Sequence, residues 1–295
     1  MFSHLRLRRE PVKVGPDPRD MPILRLDASP TLPISIYAIN NLSENAKRRL
    51  YRTLLPPPLL MRFRINPVSW ADSDGAPRVQ LTAEPESNTV TVAVRHPAEA
   101  PEPFFLLELG DNNINGFELN FIALHDPEGP RFAVDLDEEG QGTSFGTVRR
   151  NLAEEARALA AGLAPIQLRR NLGAAQLVFE QLELFMAFAA HQAYSLEPLT
   201  YAAAWVFERR GFAYVRGHKL MNDIQREFQP GGRLHAALDG STPFRQPDQW
   251  RTVRGRAWAI HDGILEAIDA QWDHLRMIKQ LGKHAGVETF PDATY

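Results

Sequence analysis

The residues of this chain whose types and spacing suit chemistry gather in its C-terminal half. Gln176, Glu180, Glu183, Ala187 and His191 recur at helical spacing on one face of a helix expected over Gly173–Gln192. The other faces carry Leu177, Val178, Phe179, Leu182, Phe185, Met186 and Phe188. Carboxylates and an imidazole on such a face suit metal binding or proton transfer. The same stripe also reads as a narrow wetted edge of a buried helix, since the paired Glu-x-x-His spacing of di-iron bundles is missing. A second set stands at Trp258-Ala-Ile-His261-Asp262-Gly263, downstream of Arg251, Arg254 and Arg256. A His beside an Asp suits general-base chemistry or, with the arginines, anion binding. Neighbours in sequence point apart on a helix, so a capping Asp262 with His261 at the edge of the core is the structural alternative. Glu183, Glu208, His261 and Asp262 are the candidates for a metal- or acid/base-dependent site in the helical half.

Several other chemistries are excluded or lack a necessary part. With 0 Cys among 295 residues, disulfides, thiolate catalysis and cysteine-ligated metal are ruled out, and any metal would need His and carboxylate ligands. Asp135-Leu-Asp-Glu-Glu-Gly140 imitates the start of a calcium loop, but Gly146 stands where a bidentate Glu is required. Gln141-Gly-Thr-Ser-Phe-Gly-Thr147 is Gly-rich without the Lys-Ser/Thr of a nucleotide loop, and Ser144 and Ser241 lack the context of a nucleophile elbow. Asp262, Glu266, Asp269 and Asp273 share a face of the expected last helix and read as a solvated acidic stripe.

The elements that must position these groups follow from patterning. Residues 1–34 are Pro- and Arg-rich and read as an extended arm, followed by a helix from the capping box Asn41-Leu-Ser-Glu44 to Leu55, stopped by Pro56-Pro-Pro58. Short apolar or β-branched runs at Leu60–Asn66, Arg78–Ala83, Asn88–Arg95, Phe104–Leu109, Phe117–Leu124 and Arg131–Asp137 predict strands. Their connections are mostly too short for crossover helices, so an antiparallel sheet is expected. Helical periodicity then takes over at Val148–Ala161, Gly173–Gln192, Tyr201–Arg210, Lys219–Phe228 and Trp258–Leu281, with a long Gly- and Pro-rich loop from Pro230 to Arg256. The expected organisation is an arm over 1–34, a helix-plus-sheet region over 35–146, and a mostly helical region over 147–295 continuous with the sheet. The fold class is α+β.

Hydrophobic content of 44% and charged content of 23% are those of a globular chain. A net charge of −3 and a pI near 6.3 give no global attraction to nucleic acid or to an anionic membrane. Charge in Met1-Phe-Ser-His-Leu-Arg-Leu-Arg-Arg9 replaces the apolar core of a secretory signal, and no window reaches the length of a membrane span; a cytoplasmic location is expected.

Leu196-Glu-Pro-Leu-Thr-Tyr-Ala-Ala-Ala-Trp-Val-Phe-Glu-Arg-Arg-Gly-Phe212 is the most specific segment. Gly211 follows a basic helix end where a left-handed cap is wanted, and Phe212 is placed to fold back onto the last turn. Together with Arg170-Asn-Leu-Gly173-Ala-Ala175, this segment resembles the core of the GNAT acyltransferases. In that family a helix follows a [QR]-x-x-G-x-[GA] loop, and a second helix some forty residues on ends in a Tyr-Glu-Arg-x-Gly-Phe-like run. The resemblance covers Gly162–Gly217. It implies acyl transfer from acyl-CoA to an amine, with helix-terminal amides near Gly173 and Ala175 and the charges of Arg169 and Arg170 holding the pyrophosphate. It also implies a strand before the loop, where this chain has the helical Leu152–Ala161. The family's tyrosine acid falls on Phe207 and its earlier asparagine on Thr200, leaving Tyr201 or Tyr214 as the acid. Three readings stay open: acyl transfer, the metal or acid/base site, and a non-catalytic module enclosing a small ligand or forming a dimer face.

Overall fold

The computed structural model describes residues 34–114, 116–143 and 149–295, and the described residues fall in one compact unit, Pro33–Tyr295. The arm expected over 1–34 lies, Ile34 apart, outside the described residues, as do Ser144 and the start of the helix expected at Val148.

Seven strands form one sheet: β1 Val79–Thr82, β2 Thr89–Val94, β3 Phe105–Asp111, β4 Phe117–Leu124, β5 Ala193–Leu196, β6 Ala213–Arg216 and β7 Arg276–Gln280, in the order β1-β2-β3-β4-β5-β7-β6. The first four make an antiparallel meander, as their alternation predicts: Val90, Val92 and Val94 of β2 are buried, and so are Phe105, Leu107 and Leu109 of β3. The sheet is α+β as expected but not purely antiparallel and not confined to the N-terminal half. β4 and β5 run parallel, and the C-terminal half contributes β5, β6 and β7.

The parallel pair is joined through α4 (Leu152–Ala160) and α5 (Ala175–Phe188). Such strands cannot be linked by a tight turn, and α5 is the crossover helix that packs back on the sheet. It buries Val178, Phe179, Leu182, Phe185 and Met186, with the Phe185 ring 5.9 Å from that of Phe117 on β4. The helix ends at Phe188, so His191 leaves the stripe of Gln176, Glu180 and Glu183. It stacks instead on Phe117 at 3.9 Å, with its Nε2 3.1 Å from the Ile34 carbonyl.

Three expected elements are corrected. Leu60–Asn66 is not a strand: α3 spans Pro57–Arg62, with proline at its first turn, where the missing N–H costs nothing. Arg131–Asp137 is irregular apart from a turn at Val134 and Asp135 and an isolated bridge from Leu136 to Gly142, and it buries Phe132 and Val134 in a small cluster with Ala158, Leu163, Phe244 and Trp258. The helix expected over Trp258–Leu281 is α9 (Val253–His261), a 3-10 segment (Ile264–Ile268) and strand β7. Gly263, at φ +82, breaks the helical run, so Asp262, Glu266, Asp269 and Asp273 share no helix face.

α1 (Ile36–Asn40) and α2 (Glu44–Tyr51) lie at the meander end, where the Asp111 carboxylate accepts the N–H groups of Ile36 and Tyr37 at 2.7 and 2.8 Å. α6 (Tyr201–Arg209) starts on the Thr200 side chain, which accepts the Ala203 N–H, and stops as its sequence predicts. Gly211 takes φ +83, its N–H bonds to the Glu208 carbonyl at 2.8 Å, and the Phe212 ring lies 5.3 Å from that of Phe207. α7 (His218–Glu227) and α8 (Arg233–Ala236) complete the helices, and α8 falls inside the loop expected from Pro230 to Arg256. No helix among the described residues is long and apolar enough to cross a membrane.

Candidate functional site

The parallel strands part company. β5 pairs with β4 only through Phe117↔Tyr194, Glu118↔Ser195 and Leu119↔Leu196, while β4 continues to Leu124. Two local features stop the pairing there. Pro198, just past the end of β5, has no N–H to offer a ladder. On β4 the register against β3 shifts between Glu108↔Phe121 and Leu109↔Leu119, making Asn120 a bulge that turns the strand. Beyond Leu119 and Leu196 the pairing of β4 with β5 ends, while β4 keeps its pairing with β3 through Leu124.

The loop Arg170–Ala174 is brought to the end of β4. Residues 126–169 leave β4 and return to it: His125 and Asn171 form an antiparallel bridge, and the Asp126 N–H donates to the Arg170 carbonyl at 2.8 Å. The helical stretch expected at Leu152–Ala161 is thus α4, inside this excursion, and the loop follows the end of β4 in space although not in sequence. Gly173 takes φ +75, its N–H donates to Asn171 Oδ1 at 2.9 Å, and a Cβ there would meet nothing within 4 Å. No side chain caps the first turn of α5 behind it. Arg170 is exposed, with Nη2 3.0 Å from the Ala161 carbonyl, and Arg62 of α3 reaches the Leu172 carbonyl at 3.4 Å. Arg169 points elsewhere. Its Nε and Nη2 donate to Glu102 Oε1 at 3.0 and 2.9 Å, and Nη1 donates to the carbonyls of Pro127 and Gly129.

Beside this loop lies a cavity of about 290 Å³ lined by His96, Pro97, Pro101, Glu102, His125 and Arg169, among others. His125 is buried. Desolvation lowers its pKa below the ordinary value, and the nearby charges of Arg169 and Arg131 push the same way against Glu102 and Asp126. Burial works to raise the Glu102 carboxyl, but hydrogen bonds and charge from Arg169 and Arg131 outweigh it and hold the group below its usual range. Nδ1 of His96 is buried without a hydrogen-bond partner. A second cavity, of about 370 Å³, is rimmed by Lys219, Asp223, Arg226, Glu227 and Arg233, whose charges already pair with one another.

The remaining candidates sit in three separate places. Glu183 meets Lys279 at 3.6 Å. Glu208, 1% exposed, accepts the Tyr214 hydroxyl at 2.7 Å and the Thr289 N–H and hydroxyl at 2.9 and 2.7 Å. His261 and Asp262 do not face each other but are joined through two further residues, Glu155 and Arg150. Arg150 bonds Glu155 Oε2 at 2.5 Å and Asp262 Oδ1 at 2.8 Å, while His261 Nε2 lies 3.2 Å from Glu155 Oε1. Asp262 also accepts from Arg245 at 2.8 Å and Thr242 at 2.9 Å, and caps α9. No group of three or more His, Cys, Asp or Glu able to hold a metal forms among the described residues.

Of the tyrosines, Tyr201 opens α6 just past β5, at the end of the sheet where the strands part. Its hydroxyl is pushed up to about 12, mainly by burial, with Arg256 working to lower it. Tyr214 is raised further by burial and by the Glu208 carboxylate it bonds; it lies level with Leu196 across the sheet through Met277. His96, Glu102, His125 and Arg62 went unnoticed in the sequence. The one available signal was His125 directly after the expected strand Phe117–Leu124. No known protein family, curated protein or solved structure matches the chain.

Proposed function

We propose that this protein is a GNAT-like N-acyltransferase that moves an acyl group from acyl-CoA to an amine. The observation that carries the reading is the parting of β4 and β5 beyond Leu119 and Leu196, with the start of α5 delivered to that opening by the Asn171–His125 bridge. In parallel sheets, ligands settle at the carboxyl ends of strands where neighbours diverge, and a helix start there offers N–H groups and a positive dipole end to phosphate. The strand that the resemblance requires before the loop has a counterpart in β4, set apart in sequence by residues 126–169. The small residues Gly173 and Ala175 leave the approach to the amides open, and Arg170 supplies charge, with Arg62 beside it. Arg169 is held by Glu102 and takes no part in gripping the pyrophosphate. Acyl-CoA supplies the thioester. Tyr201, whose hydroxyl is not tied to a carboxylate, is better placed than Tyr214 to give a proton to the leaving thiolate.

The test is CoA itself. A thermal melt of the full chain with CoA added should rise by RT ln(1 + [L]/Kd) converted to temperature, and the rise should shrink for Arg170→Glu. An unchanged melt at millimolar CoA removes the reading.

A further inference from the structure

We propose that Arg256 is a positioning residue for Tyr201: its guanidinium is kept in place to hold the Tyr201 side chain as a phenolate once the hydroxyl has given up its proton. Use of the pair in catalysis rests on the acyl-transfer reading, whereas the pairing itself stands without it.

Arg256, on α9, is 0% exposed and makes no ion pair with a carboxylate among the described residues. A buried cation is costly unless something answers its charge. Nε donates to the Trp250 carbonyl at 2.7 Å and Nη1 to Gln225 Oε1 at 2.5 Å, both neutral acceptors, and Nη2 is buried without a hydrogen-bond partner. The guanidinium carbon lies 3.5 Å from the ring centre of Phe290 and 5.1 Å from that of Phe228, so aromatic packing fixes the head group. None of these neighbours carries a full negative charge.

The ionisable group within its reach is Tyr201. α6 packs on α9, Tyr201 is 1% exposed, and its hydroxyl and the guanidinium act on each other through charge and hydrogen bonding. Burial pushes the hydroxyl up to about 12, and Arg256 works against that rise. Glu208, on the same helix, adds to the rise, and Tyr214 of β6 is close enough to interact as well. The Trp272 ring, 6.1 Å away, brings no charge. Tyr194 and Tyr214 are raised further, by burial first and then by Glu183 and Glu208, with no cation set against them. A fixed cation with an unspent donor stabilises a phenolate without having to reorganise.

In the transfer, the amine nitrogen bonds to the thioester carbonyl carbon and the carbon–sulfur bond breaks. The leaving sulfur takes the Tyr201 proton, and Arg256 balances the phenolate that results. The surplus proton on nitrogen then returns to the phenolate, which restores Tyr201 for the next turnover.

The probe is difluorotyrosine, which ionises at lower pH than tyrosine, placed at position 201 of the full chain and followed by fluorine NMR against pH. We expect Arg256→Gln to raise the ionisation midpoint by about one pH unit or more, tenfold in the ionisation constant, and Arg256→Lys to recover most of it. The same label at position 214 should move less. No rise at 201, an equal rise at 214, or no recovery with Arg256→Lys overturns the proposal. Should Arg256→Gln lose its fold, the order of ionisation with Arg256 in place decides: the label at 201 should ionise at lower pH than the label at 194 or 214, and any other order overturns the pairing. A CoA titration keeps the two claims apart. A midpoint at 201 that depends on Arg256 without CoA binding removes only the acyl-transfer reading, and CoA binding with a midpoint indifferent to Arg256 removes only the pair.

Discussion

Replacing Glu155 by Gln should cost this fold about 3 kcal/mol at pH 7, and the cost should fade in acid. The side chain is 2% exposed and holds Arg150 through Oε2, with His261 at Oε1. Removing one partner of a buried pair costs about 3–5 kcal/mol, because the other charge is left without compensation. Arg150 keeps Asp262 and is 22% exposed on its side chain, so the low end of that range applies. Burial works to raise the Glu155 carboxyl, and the bonds from His261 and Arg150 overcome it, leaving its pKa below the ordinary value. A carboxylate with a depressed folded-state pKa stabilises the fold fully above its unfolded value of about 4.3, and that contribution is lost as pH falls through the lower, folded value. Asp262 is depressed as well, burial again being outweighed by Arg150, Thr242 and Arg245, so the whole cluster loosens in the same direction. Urea unfolding of wild type and Glu155→Gln from pH 7 to pH 3 reads the difference. A gap under about 1 kcal/mol at pH 7, or one that stays constant into acid, would refute the reasoning.

Gly255→Ala places a Cβ 2.3 Å from the Gln249 carbonyl oxygen and 2.7 Å from its Cα, backbone atoms that cannot swing away; we expect a loss of about 3 kcal/mol or more, seen as a lower melting temperature. Tyr214→Phe removes one of the donors to buried Glu208 while Thr289 remains, so urea unfolding should report about 2 kcal/mol lost. If Tyr201 is the acid, Tyr201→Phe should slow transfer more than Tyr214→Phe while CoA binding stays as it was.

The parts of the fold readable in the sequence are those set by local rules. Thr89–Val94 and Phe117–Leu124 declare themselves by alternation and apolar content, and α6 by its Thr200 cap and Gly211 stop. Arg276–Gln280 falls inside the helix expected over Trp258–Leu281, and Arg-Met-Ile-Lys-Gln carries no strand signature; its strand state comes from lying between β5 and β6. Ala193–Leu196 and Ala213–Arg216 are too short to carry a period at all. For the site, the start of α5 is legible to within two residues, at Ala175 where Gly173 is expected, because a small-residue loop before an apolar periodic run is local. The direction of Arg169 was not, since its partner Glu102 lies far away in sequence. The cavity was invisible for the same reason: His96, Glu102 and His125 come from three strand ends that meet only once β2, β3 and β4 pair.

Hydrogen exchange with and without CoA bears most directly on the central claim, that the amides at the start of α5 lie where β4 and β5 part and take the pyrophosphate of acyl-CoA. The account predicts added protection at Ala175–Leu177 and at the end of β4, Ile122–Leu124, on CoA addition, with little change at the buried Glu155 and Asp262 cluster. Exchange at those two segments that is identical with and without millimolar CoA would contradict it.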